Sequence, residues 1–159
     1  MTYTNAAATT CGMDLDTERR RRHRHDQSVF HRLLQRHDAI RRELSRIDGG
    51  IRTVTTSADP EVAALLRDHV PAMHRRLQEG FRLRRWDPLY VAIFDYRDRI
   101  RMRVELLPDG VEVEQTSDDP RVVDLIRAHG EAVNGFVASG HAAAGRAHPV
   151  PGGCPQSVA

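Results

Sequence analysis

Apolar positions recur along this chain in two rhythms. Val29, Phe30, Leu33 and Leu34, and again Leu89, Tyr90, Ile93 and Phe94, keep the i, i+1, i+4, i+5 spacing of one helical face, and Asp87-Pro88 supplies a cap and a first helical residue for the second set. Ile100, Met102, Val104 and Leu106 instead alternate with Arg101, Arg103 and Glu105. After Asp109-Gly110, Val111 and Val113 alternate with Glu112 and Glu114, which predicts a hairpin with one apolar face. Further helices are predicted to begin at Asp59-Pro60 and Asp119-Pro120, where aspartate caps exposed amides and proline presets the first turn. Val62, Leu65, Leu66, His69, Met73 and Leu77 form the apolar stripe of the first. Val122, Leu125, Ile126, His129, Val133 and Val137 form that of the second. Pro71 predicts a bend or local opening in the former.

These elements are one unit read twice. At an offset of 60 residues, 27–80 aligns without gaps on 87–140, centred on Thr56-Ser57-Ala58-Asp59-Pro60-Glu61-Val62 against Thr116-Ser117-Asp118-Asp119-Pro120-Arg121-Val122. Each copy reads helix, strand, strand, helix. In copy one Ile40, Leu44 and Ile47 also fit a continued helix, and the repeat decides for a hairpin over residues 41–51. Two copies are too few for an open array, so the expected fold is α+β: a pseudo-two-fold, four-stranded antiparallel sheet packed with helices around one core. Residues 26–140 are expected to make a single domain. Residues 1–25 are expected to be a mobile Arg-rich arm, and the Ala, Gly and Pro-rich residues 141–159 a flexible tail.

Composition adjusts this picture little. The 159 residues carry a net charge of only +2, and every basic residue is arginine, which weakens each arginine as a sign of phosphate recognition. The run Arg19 to Arg22 follows Asp14, Asp16 and Glu18 without interleaved aromatics, so a nucleic-acid role is not expected. No apolar run suits a membrane span or a secretory signal, and Cys11 and Cys154 form no metal or disulfide pattern; a cytoplasmic protein with reduced thiols is expected.

Candidate chemistry rests on the two histidines that the repeat places on inward stripes. If the pseudo-two-fold axis passes between their helices, His69 and His129 face each other or line one cavity. With Met73 one turn beyond His69, imidazole and thioether suit haem or copper better than a hard cation. Two other readings remain open: core-packing histidines copied by duplication, and an acid or base at His129, for which the sequence shows no partner. His23, His25, His31 and His37 read as solvated, and His74 as pointing away from His69. Ala128, Ala132, Gly135 and Ser139 form a small-residue stripe suited to a close helix contact or a homodimer. No nucleotide loop, zincin pair, haem-attachment pair or serine elbow occurs.

The repeated Thr-Ser-x-Asp-Pro-x-Val-x-x-Leu-[Ile/Leu]-Arg-x-His core, with Phe136-Val137 and His148-Pro149-Val150-Pro151, resembles a family of small bacterial proteins built on a duplicated hairpin-plus-helix unit. The resemblance spans about residues 25–151. It implies a duplicated domain and brings no activity or ligand with it. The expected function is a small non-enzymatic binding protein holding a transition metal or haem through His69 and His129, with Met73 as an alternative ligand. The alternative is a structural or interaction module, a homodimer, whose histidines only fill the core.

Overall fold

The computed structural model describes residues 7–152, with side chains from residue 15 onward. Helix α1 (Ala7–Gln35) leads through a 3₁₀ turn at His37–Ala39 into β1 (Arg41–Ile47) and β2 (Gly50–Thr56), and α2 (Pro60–Glu79) closes the first unit. The second runs α3 (Pro88–Asp95), a 3₁₀ turn at Arg97–Arg99, β3 (Arg101–Leu107), β4 (Gly110–Thr116) and α4 (Pro120–Ser139), followed by a short α5 (His141–Ala144). From the 3₁₀ turns through α2 and α4, each element of the second unit starts 60 residues after its counterpart in the first. The caps act as the sequence predicts: Asp59 accepts from the amides of Glu61 and Val62, Asp119 from Arg121 and Asp87 from Leu89. Helix α2 runs unbroken through Pro71.

The sheet is antiparallel throughout, in the order β1-β2-β4-β3. Copy one forms the hairpin that the repeat required, because strand pairing and burial of Ile51, Thr53 and Thr55 outweigh the helical spacing of Ile40, Leu44 and Ile47. The second hairpin turns at Pro108 and Asp109, one residue earlier than Asp109-Gly110, and Gly110 is already strand. Thr53 pairs with Val113, so the residues that the 60-residue offset equates meet at the middle of the β2–β4 ladder. One face is charged, with Arg52 on Glu112 and Arg103 on Glu114; the other carries Ile51, Val111 and Val113 toward the helices. Helix α2 lies mainly against β3 and β4, and α4 mainly against β1 and β2, so each unit covers the other's hairpin.

Two expectations about the ends change. Residues 15–25 are the continuation of α1 rather than a separate arm, tied to α2 by Arg22 on Glu79 (2.6 Å), His25 on Asp68 (2.9 Å) and His23 on Arg76 (3.0 Å). Arg20 pairs with Asp16 at 2.6 Å, so the basic run is partly neutralised within the fold. The segment after α4 is also tied down, with Ala143, Ala144 and Val150 against the core. His148 donates its backbone amide to Asp87 Oδ1 (3.0 Å) and its Nδ1 lies 2.7 Å from Asp87 Oδ2, while Arg84 donates to the carbonyls of Ala144 and Arg146. Cys154 lies outside the described residues, as does the side chain of Cys11. Among the described residues no helix is long and apolar enough to cross a membrane.

Candidate functional site

Between the sheet and the helices lies a cavity of about 560 Å³. Its floor is the inward face of the sheet, including Arg42, Thr53, Thr55, Val113 and Gln115, and Phe30, Tyr90, Phe94 and Phe136 bring aromatic rings to its walls. The cavity follows from the packing: each second helix crosses to the opposite hairpin, and the small or polar Thr53, Thr55 and Gln115 do not fill the space beneath.

His69, His129 and Met73, the three residues singled out from the sequence, all line this cavity. The His69 ring stacks on Phe30 at 5.6 Å between centroids and 17° between planes, and its Nδ1 has no hydrogen-bond partner. His129 meets the edge of Tyr90 at 5.4 Å and 78°. Burial holds both imidazoles down to about 4, so both are neutral at pH 7. The same burial raises the Tyr90 phenol above its ordinary value, so it stays a protonated donor.

Six of the nine histidines line the cavity: His23, His31, His37 and His141 join His69 and His129. Of the four histidines read as solvated, His25 and His31 are exposed as expected, whereas His23 and His37 are half-buried. His23 meets the Arg76 guanidinium, His25 meets Asp68, His31 stacks on His141 at 5.6 Å, and His37 Nδ1 lies 2.7 Å from the Val137 carbonyl. Apolar spacing along α1 does not reveal these contacts, because α2, α4 and α5 supply them. Among the described residues no three His, Cys, Asp or Glu side chains assemble into a metal-binding group. The metal expectation is left with two imidazoles and a thioether.

Sequence reasoning missed the arginines on the lining: Arg42, Arg76 and Arg84. Arg76 is 2% exposed, donates from Nε to Asp26 (2.7 Å), lies over Phe81 and leaves Nη1 unpartnered. Arg84, in the left-handed region at φ 51°, packs over Trp86, Tyr90 and Phe136 and donates to Asp87 (3.0 Å). Arg42 donates to Asn134 Oδ1 (2.7 Å), to Thr55 Oγ1 (3.1 Å) and to the Gly130 carbonyl (3.5 Å). The repeat held a signal for two of them: Arg42 stands at the inward position that Met102 fills in copy two, and Arg76 where copy two has Phe136.

The small-residue stripe is occupied by the chain itself. Gly135 faces Ala143 of α5, Ala132 is buried and Ala128 packs against the core, so the homodimer reading loses the feature it rested on. Asp26 is the only carboxylate among the lining residues and Arg76 holds it, so His129 has no acid–base dyad among the described residues. This arrangement can enclose a mostly apolar molecule and offer it a few directed polar groups. No family model, curated protein or solved structure matches the chain.

Proposed function

We propose that the protein is a non-enzymatic binding protein that takes one small, mostly apolar organic molecule into the cavity between sheet and helices. The observation that carries this reading is the cavity itself, about 560 Å³ with aromatic walls. Ligand pockets typically span roughly 300–1,000 Å³, whereas close-packed interiors tolerate few voids larger than a water. The cavity is partly open to solvent, so its apolar walls stand against water unless a ligand covers them. Apolar walls are poor hosts for ordered water. A bound apolar molecule resolves this difficulty.

Isothermal titration with the neutral probe N-phenylnaphthylamine tests the reading. Saturation at one probe per chain is expected, with affinity reduced about tenfold in Val113→Phe, which fills the cavity floor at an overpacking cost of about 1–3 kcal/mol. Absence of saturable binding to the folded wild type overturns it.

A second reading, haem, is favoured by His69, His129 and Met73 sharing this cavity with both imidazoles neutral and able to ligate. Titration with hemin is then expected to give a shifted Soret band at one haem per chain. Unchanged binding in the double variant His69→Ala, His129→Ala removes the histidines from that role.

A further inference from the structure

We propose that the molecule held in the cavity carries an acidic head group, a carboxylate or similar oxyanion, which Arg42 receives. This rests on the reading of the cavity as a binding site and narrows its ligand to an amphipathic organic acid.

The argument begins with charge on the lining. Three guanidinium groups face the cavity against the single carboxylate of Asp26. Asp26 is bound by Arg76, and Arg84 is bound by Asp87, which is fully buried behind the lining. Arg42 alone of the three contacts no carboxylate: its hydrogen bonds go to an amide oxygen, a hydroxyl and a backbone carbonyl. The acid Glu131 reaches it through Asn134, whose Nδ2 donates to Glu131 Oε2 at 3.4 Å. Burial lowers the Arg42 guanidinium to about 10, which leaves it cationic at pH 7. A buried cation without a directly paired anion is costly, and an anion delivered by a ligand removes that cost.

The surroundings suit the task. Asn134, Thr55 and the Gly130 carbonyl fix the plane of the fork, so ordering it on binding costs little side-chain entropy. Tyr90, kept protonated by burial, and His129 line the same cavity as Arg42, with the two rings meeting edge to face at 5.4 Å. A polar corner of one cation and two neutral side chains thus opens onto aromatic walls, the pattern of an acid head with an apolar body.

The test displaces bound N-phenylnaphthylamine with dodecanoate and, separately, with dodecanol, ligands of matched length that differ in charge. Dodecanoate is expected to compete at least about tenfold more strongly, the range of a charge-assisted pair. In Arg42→Gln this preference, read against the probe affinity of that same variant, is expected to disappear, and in Arg42→Lys it is expected to survive in part. Acetate, the head group alone, is expected to displace nothing at the same concentrations. Equal competition by acid and alcohol in the wild type overturns the inference without needing a variant, as does a preference that persists in Arg42→Gln or displacement by acetate. Failure of the probe to bind at all instead overturns the cavity reading beneath it.

Discussion

At the scale of single residues, Asp87 does the most for the site with the least exposure. The sequence identifies it as a helix cap from Asp87-Pro88, and it does cap α3 through the Leu89 amide. It is also 0% exposed and accepts from Arg84 and from the His148 ring and backbone. Burial works to raise its carboxyl, but His148 and Arg84 together hold it below the usual range. Asp87→Ala strands the Arg84 guanidinium and frees the segment after α5. A loss of about 3–5 kcal/mol in urea unfolding is expected, the range for breaking a buried ion pair from one side. A loss below about 1 kcal/mol contradicts this account. The cap was legible because it is local. The His148 contact was not, because 61 residues separate the partners and the tail's Ala, Gly and Pro composition carries no pattern.

At the scale of elements, the join between the two units depends on Gly50 and Gly110. A Cβ on Gly50 would stand 1.8 Å from the Gln115 carbonyl oxygen, and one on Gly110 would stand 2.0 Å from that of Thr55. Both obstacles are backbone in the β2–β4 ladder, which cannot move aside as a side chain does. Gly50→Ala and Gly110→Ala are each expected to destabilise by about 3 kcal/mol, while Gly152→Ala, which meets nothing within 4 Å, leaves the unfolding midpoint in place. Equal midpoints for all three overturn this view of the junction. The hairpins, caps and stripes were legible because short periodicities encode them. That each second helix crosses to the other hairpin was not, because only the packed pair of units defines that choice.

At the scale of the whole molecule, the repeat and its departures from symmetry define the site together. The shared positions, His69 and His129, pointed to the cavity from sequence because capped helices fix which face turns inward. The unequal positions, Arg42 against Met102 and Arg76 against Phe136, place charge on the lining, and an apolar-pattern reading passes over them. The two neutral histidines also set a pH dependence. Their folded-state values lie near 4 against an ordinary 6.5, so the unfolded chain binds more protons between those limits. Stability contributed by the neutral rings is full above about pH 6.5 and falls as pH drops toward 4, by on the order of 2 kcal/mol for each ring. The double variant His69→Gln, His129→Gln is expected to flatten that slope in urea unfolding series, and an unchanged slope contradicts it.

The central claim is that the space between sheet and helices is a binding site, and the methionines report on it directly. Met73 projects into it from α2 and Met102 from β3. In methyl-labelled protein, titration with N-phenylnaphthylamine is predicted to move both resonances together and to saturate at one equivalent. Saturable binding with both methyls unmoved, or no saturation at all, contradicts the account.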